Sequence, residues 1–369
     1  MSRRVVHYVG SDLHGGSEQA SLELIASLDR SRWEPVLLHH PDATRLADGA
    51  RSLSVETCAA PRLQARWPVA GTLRLWRMLS ALNPAVFHAH LSWPLACRHG
   101  LVAAWLARVP AIVATAQLYM EIEDPRRPPL SLRPPRRIIA VSEEVKARYG
   151  ELGVPPAKLV VVRNGIRVPS SVRPPDPALR AALIGNRPEY LVLTPARLHE
   201  QKGHTYLLAA AARVPDATFV FAGAGPLREE LERESVSLGV ADRCVFLGDR
   251  ADVPDLLAAA DLVVLPSLFE GLPVVVLEAM AAGRPVVATS IGGTDEAVAH
   301  EVTGLLVPPR DPGALAAAMG RIRSDPELGR RMGVAGRERV EGEFTAEATA
   351  CAVMRVYDDV LSEAEGGAP

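Results

Sequence analysis

Short, β-branched apolar runs alternate along this chain with longer stretches of helical periodicity, the rhythm of βαβ units in a parallel sheet. In the first half the pattern predicts strands over Val5–Val9, Val36–His39, Val86–Ala89, Ile112–Thr115, Ile138–Val141 and Leu159–Val162, with helices over Glu18–Leu28, Val69–Leu82 and Pro94–Ala107. In the second half it predicts strands over Tyr190–Thr194, Thr218–Ala222, Cys244–Leu247, Leu262–Leu265 and Val286–Thr289. Helices are expected over Thr205–Arg213, Leu227–Leu238, Val253–Ala260, Val274–Ala282 and later segments. The rhythm breaks in Arg167–Pro177, where proline and serine are dense enough to end both periodicities. The expected organisation is therefore a first domain over 1–168, a linker over 169–177 and a second domain over 178–345, followed by a helical tail. The fold class is α/β: two doubly wound, Rossmann-like domains facing across a cleft, where the carboxyl ends of parallel strands bind ligands.

Composition narrows this picture. With 369 residues, 48% hydrophobic and 23% charged, the chain suits two globular domains and not wholesale disorder. No run is long enough to span a bilayer, and the apolar run after Arg3 and Arg4 is too short for a signal peptide, so a cytoplasmic location is expected. Four cysteines with no CxxC spacing offer neither a zinc site nor a disulfide framework; free, mostly buried thiols are expected, and no metal is implied. Up to Val168 there are 22 Arg and Lys against 14 Asp and Glu; beyond it, 19 against 29. The basic first half fits an anionic acceptor or a peripheral contact with the inner membrane face, and equally a surface simply solvated by arginine. Only three lysines occur beside 38 arginines, and one of them, Lys202, lies within a motif.

The strongest chemical signal is Asp261–Ala282, DLVVLPSLFEGLPVVVLEAMAA. A strand ends at Leu265, a loop carries Glu270, Gly271 and Leu272, and Pro273 suits the start of a helix whose positive end can face a diphosphate. Glu270 and Glu278 can accept charge-assisted hydrogen bonds from sugar hydroxyls. Thr194–Gly203, TPARLHEQKG, follows another strand and places Arg197 and Lys202 five residues apart around a turn, so that both can converge on one anionic group. As a surface turn, it should tolerate truncation of Lys202 without loss of the fold. FAGAGPL carries Gly223 and Gly225, glycines that allow close backbone approach to a nucleotide, but Arg228 stands where a dinucleotide fingerprint needs its third glycine. Gly15 and Gly16 form the matching loop after the first strand, with Ser17 expected as helix cap. IGGTDE, over Ile291–Glu296, is a further glycine turn after a strand. His88 and His90 share a face only if their strand continues. No third metal ligand is evident beside them, so satisfied cleft histidines are expected. No GxxxxGK[ST], GxSxG, HExxH or strand-flanked DxD pattern occurs.

In their order and spacing these motifs resemble glycosyltransferase family 4, the retaining enzymes of the GT-B fold, over nearly the whole chain. The resemblance implies that Arg197 and Lys202 neutralise the leaving diphosphate and that Glu278 holds the ribose. Glu270, with the backbone of Gly271 and Leu272, would hold the donor sugar, Gly16 would meet the diphosphate from the first domain, and helix 346–364 would pack back on that domain. Where the family carries a histidine lining the donor sugar, this chain has Gln117, which offers hydrogen bonds but no charge. Ala85 likewise replaces the usual acidic residue ahead of the HxH pattern. The implied activity is metal-independent transfer of a sugar from a UDP- or GDP-linked donor to an acceptor hydroxyl, with retained configuration, no cofactor and no nucleic-acid partner. His90 and Gln117 are candidate sugar or acceptor contacts. A sugar-nucleotide epimerase of the same fold and a catalytically idle sugar-nucleotide-binding protein remain alternatives. The Arg- and Pro-rich segment Glu121–Arg137 could be an acceptor loop, a membrane-touching patch or a solvated connection. Sugar, acceptor and oligomeric state are left open.

Overall fold

The computed structural model describes residues 2–12, 15–63, 68–119 and 132–366. It divides into two compact units, one formed by Met1–Arg167 with Ala346–Pro369 and the other by Val168–Thr345. The first unit runs β1 (Arg3–Val9), α1 (Gly16–Ala26), β2 (Trp33–His39), α2 (Thr44–Ser52), β3 (Glu56–Ala59), α3 (Val69–Leu82), β4 (Val86–Leu91), α4 (Arg98–Leu106), β5 (Ala111–Ala116), β6 (Arg137–Ala140), α5 (Glu143–Glu151) and β7 (Leu159–Val161). The second runs α6 (Pro177–Ile184), β8 (Tyr190–Pro195), α7 (His204–Ala211), β9 (Ala217–Ala222), α8 (Arg228–Ser237), β10 (Cys244–Gly248), α9 (Val253–Ala259), β11 (Leu262–Leu265), α10 (Val274–Ala281), β12 (Val286–Thr289), α11 (Gly292–Ala297), β13 (Leu305–Val307), α12 (Pro312–Ser324) and α13 (Pro326–Glu343). A final helix, α14 (Ala346–Gly366), belongs to the first unit.

Both sheets are parallel, in the orders β3-β2-β1-β4-β5-β6-β7 and β10-β9-β8-β11-β12-β13. In each the chain starts centrally, winds outward, then returns to the other side of its first strand. Right-handed crossovers therefore lay helices on both faces. Strands covered on both faces need apolar residues at every position, which is why β4 and β5 are buried throughout and why their sequences read as continuous runs. The expected two-domain α/β fold is present. Elements with a weak or short apolar signal were missed: β3 is an edge strand with largely exposed side chains, α2 and α5 are polar helices, and β13, though apolar, is an edge strand of only three residues. Helix α4 begins at Arg98 rather than Pro94, because Cys97 ahead of it adopts a left-handed φ of 58°. Gly15, not Ser17, caps α1; the Ser17 hydroxyl instead donates to the Glu18 carboxylate at 2.7 Å. Of the four free cysteines only Cys244 is fully buried. Residues 121–131 of the Arg- and Pro-rich segment lie outside the described residues. No helix among those described is long and apolar enough to cross a membrane.

The proline-rich stretch before α6 is tied to the second unit. Arg337 donates to the Pro169 carbonyl at 2.6 Å, and Arg173 pairs with Asp255. Helix α14 completes the first unit's core. Ala350, Val353, Tyr357 and Val360 recur at helical spacing and pack with Val5, Trp33, Val86 and Ile139. Its most specific contact is the Tyr357 hydroxyl, 2.5 Å from His88 Nδ1, while His88 Nε2 lies 2.7 Å from Thr115 Oγ1. Burial pushes the Tyr357 pKa up and the His88 pKa down, so both partners are neutral. Donation from the Tyr357 hydroxyl to Nδ1, and from Nε2–H to Thr115, satisfies both ring nitrogens. Tyr357→Phe preserves the edge-to-face packing on Trp33, at 5.1 Å between centroids, but strips one ring nitrogen of its partner. It should lower stability by about 1–3 kcal/mol. Thermal unfolding measures this, and an unchanged midpoint would mean that packing alone holds α14.

Candidate functional site

In the second unit the predicted residues gather on loops leaving adjacent strands. Strands β8 and β11 pair side by side, so the loop after β8, carrying Arg197 and Lys202, lies next to the loop after β11, carrying Glu270. Two backbone-anchored bonds stitch these loops together: Leu268 N–H donates to the Gln201 carbonyl at 2.7 Å, and Gln201 Nε2 donates to the Phe269 carbonyl at 3.0 Å. His204, at the start of α7, donates from Nε2 to the Arg197 carbonyl at 2.9 Å. Burial lowers its pKa to about 4, so this anchor is uncharged at neutral pH.

The two cations have different surroundings. Lys202 forms an ion pair with Glu270 Oε1, its side chain only 15% exposed and that of Glu270 only 8%. The Ser267 hydroxyl donates to the same oxygen at 2.7 Å, and Thr289 at the end of β12 donates to the Ser267 carbonyl. Glu270 Oε2 has no protein partner among the described residues, nor does the guanidinium of Arg197. The turn is therefore not an ordinary surface turn: the Lys202 ammonium neutralises a mostly buried carboxylate, so its truncation carries a cost in stability. The anion that Lys202 meets in this structure is Glu270, so the two residues that the sequence assigned to separate ends of a ligand are in contact.

The glycines of FAGAGPL serve a purpose the sequence did not show. Loop residues Ala196 and Leu198 donate to the carbonyls of Ala222 and Ala224 at 3.0 and 2.9 Å, extending the β8–β9 pairing beyond the strands. A Cβ on Gly223 would lie 2.0 Å from the Ala196 carbonyl oxygen, and one on Gly225 would lie 2.2 Å from that of Leu198. These residues are glycine because the Arg197 loop presses on them. Gly271 and Leu272 are buried ahead of α10, with the Gly271 carbonyl set against Gly293 in the first turn of α11. Glu278 lies half-buried on α10.

In the first unit Gly16 opens α1 and is exposed. His90 and Gln117 line one small cavity together with Thr115, Asn164 and Thr349. Asn164, which the sequence reading missed, donates from Nδ2 to Gln117 Oε1 at 2.8 Å and receives the Gln117 amide at 3.4 Å. Strand β4 does continue through His90, so His88 and His90 share a face, with ring centroids 4.4 Å apart. Both are buried, and of the two only His90 also lines the small cavity. A third histidine, His7 of β1, stands in register with His88, and its Nδ1 lies 3.0 Å from His90 Nε2. The candidate ligand atoms of the three rings lie within 4.8 Å of one another. The signal for His7 was available as a lone polar residue within the apolar run of β1. Both nitrogens of His88 are already engaged, which leaves at most two rings open to a cation without breaking the contacts to Tyr357 and Thr115.

Taken unit by unit, the architecture is that of the GT-B class, with two parallel-sheet, Rossmann-like domains. Residues 15–165 match the glycosyl transferase 4-like domain and residues 189–325 match the glycosyl transferases group 1 family. The D-inositol 3-phosphate glycosyltransferase of Salinispora tropica is 31% identical over 331 residues, 80% of this chain and 68% of that protein. The lipopolysaccharide core biosynthesis glycosyltransferase LpsD of Rhizobium meliloti is 31% identical over 221 residues, 60% of this chain; the aligned part spans 63% of LpsD's length. The crystal structure of Anabaena HepE in complex with UDP-glucose superposes with a TM-score of 0.83 at 21% identity, covering 97% of this chain and 100% of that one. The chain belongs to the group 1 glycosyltransferases, family 4.

Two outcomes follow from this geometry. A double-mutant cycle on Lys202→Ala and Glu270→Gln should show a coupling of about 1–3 kcal/mol in denaturant unfolding, because each single change strands a mostly buried partner. Strict additivity would mean that the pair contributes nothing to the second unit. The second outcome concerns pH. Burial holds His7 and His88 well below the usual histidine value of 6.5 and takes His90 down to about 3. The unfolded chain therefore binds more protons than the native one between those values. The stability contributed by the neutral cluster is complete above about pH 6.5 and is lost as pH falls towards 3. All five tryptophans lie in the first unit, so their emission during urea unfolding isolates it. A midpoint independent of pH across that range would contradict burial of neutral histidines.

Proposed function

We propose that this protein is a retaining, metal-independent glycosyltransferase that moves a sugar from a nucleoside diphosphate donor to an acceptor hydroxyl. The observation carrying this reading is the Lys202–Glu270 pair at the carboxyl ends of β8 and β11, with Arg197 on the same loop as Lys202, in a chain of this family. Arg197, whose guanidinium is unpaired among the described residues, and Lys202 supply positive charge for a departing diphosphate. The amino terminus of α10 adds its dipole. Glu270 offers Oε2 to donor-sugar hydroxyls, with Oε1 fixed by Lys202 and Ser267. Glu278 accepts from the ribose hydroxyls, and the backbones of Gly271 and Leu272 lie against the nucleotide, with Gly16 on the diphosphate; Gly223 and Gly225 act by holding the Arg197 loop. His90 and Gln117 contact sugar or acceptor. In the reaction the anomeric carbon–diphosphate bond breaks and a bond to the acceptor oxygen forms on the same face, while the acceptor hydroxyl proton passes to the departing diphosphate. With two protein cations at that end, a divalent ion is redundant.

A UDP- or GDP-linked donor fits the relatives and solved structures: the HepE crystal structure is a complex with UDP and glucose, and a relative in Mycobacterium tuberculosis is a GDP-mannose-dependent mannosyltransferase. The basic first unit suits an acceptor bearing negative charge. Unpaired cysteines suit the cytoplasm. The reading is tested with a panel of UDP- and GDP-sugars and hydroxyl acceptors, including inositol phosphates, with excess chelator present throughout. The expected product keeps the donor's anomeric configuration by NMR and forms undiminished in chelator. An inverted product, loss of activity restored by magnesium or manganese, or release of an epimerised donor in the absence of acceptor would each overturn it.

A further inference from the structure

The first unit exposes an apolar surface that the catalytic reading does not use. Helices α3 and α4 pack against each other on one face of the sheet, with Leu75, Leu79 and Leu101 buried beneath them. On the solvent side of the pair, Val69 is 65% exposed, Trp105 61%, Leu106 46% and Leu73 45%, with Val102 on the same turn of α4 as the latter pair of α4 residues and Trp93 on the approach to it. Large apolar side chains gathered on neighbouring helices, rather than scattered singly, mark a contact surface. The stretch of sequence that carries them has charge of one sign, with Arg62 at its start pairing to Asp42. Between Thr57 and Met120 the chain has six arginines and no aspartate or glutamate, together with four of its five tryptophans. Arg74 and Arg77 on α3 and Arg108 after α4 are exposed and form no ion pair among the described residues, whereas arginines elsewhere on the surface, such as Arg32 and Arg321, pair with carboxylates.

We infer that the α3–α4 surface docks on an anionic phospholipid bilayer, with Leu73, Trp105 and Leu106 entering the headgroup boundary and Arg74, Arg77 and Arg108 meeting lipid phosphates. Tryptophan and long aliphatic side chains partition into that boundary, and unpaired arginines are drawn to its negative potential. Charge favours this occupant over a second copy of the chain. A two-fold contact through the same patch would set these arginines against their own images, with no carboxylate on α3 or α4 to separate them. The inference does not rest on the transfer reaction, and its test does not read activity. The full chain is sedimented with vesicles of phosphatidylcholine alone or doped with phosphatidylglycerol. Binding is expected only to the doped vesicles and should weaken with salt. Arg74→Gln with Arg77→Gln should weaken it about thirtyfold, at about 1 kcal/mol per charge near the surface. Trp105→Ser with Leu106→Ser should weaken it while leaving the thermal unfolding midpoint in place. Equal binding to both vesicles, no binding to either, or loss of binding in neither double variant would overturn the proposal. So would light scattering that shows a dimer dissociated by the same substitutions.

Discussion

Parallel strands buried on both faces leave no room for polar chemistry within a sheet, and this constraint governs both units. Every position along β4, β5, β9 and β11 is covered. Charged and hydrogen-bonding groups that must meet solvent are therefore pushed to the loops beyond the strands, and those loops are brought together by strand pairing rather than by their own sequence. Lys202 and Glu270 meet because β8 and β11 are neighbours, and Arg197 shares the loop that carries Lys202. Where polar side chains do enter the sheet, as at His7, His88 and His90, they do so as neutral groups: both nitrogens of His88 are engaged by Tyr357 and Thr115, while His7 and His90 meet through one nitrogen each and leave the other without a partner among the described residues.

The two sheets solve the same problem with opposite electrostatics. In the first unit the interior polar cluster carries no charge, and its cohesion depends on keeping protons off three imidazoles. In the second, a formal ion pair sits almost out of water, joined by a serine hydroxyl on the same carboxylate oxygen. A pair of this kind contributes little net stability against an apolar substitute. Its retention makes more sense as a means of keeping a lysine and a glutamate in fixed positions, ready to exchange part of their mutual contact for contacts with a ligand.

Much of the fold was legible in the sequence because continuous apolar runs and helical periodicity are direct consequences of burial on two faces. What was not legible was polar or short: β3, α2 and α5 carry little apolar signal, and β13 is an apolar edge strand of only three residues. In the candidate site, residue types and loop positions could be read from the motifs, but pairings could not. Nothing in linear spacing joins Lys202 to Glu270 across 68 residues, or Gln117 to Asn164 across 47, since these contacts arise from strand order. The glycines at 223 and 225 were legible as close-approach residues, but the backbone approaching them is the chain's own.

Helix α14 makes the first unit discontinuous in sequence. Its core lacks Tyr357, Val353 and Val360 until the whole of the second unit has been synthesised, whereas the second unit is one uninterrupted stretch able to close as soon as it emerges. The order of folding is then the reverse of the order of synthesis. The amino-terminal strands must wait, with the Val5, Trp33 and Val86 surface open, for a helix more than 250 positions away, and the loop-closure entropy of that wait falls on the unit with the larger sheet. A chain cut short before α14 would present to the cell a finished half joined to an unfinished one, which gives quality-control proteases a simple way to tell a complete polypeptide from an incomplete one.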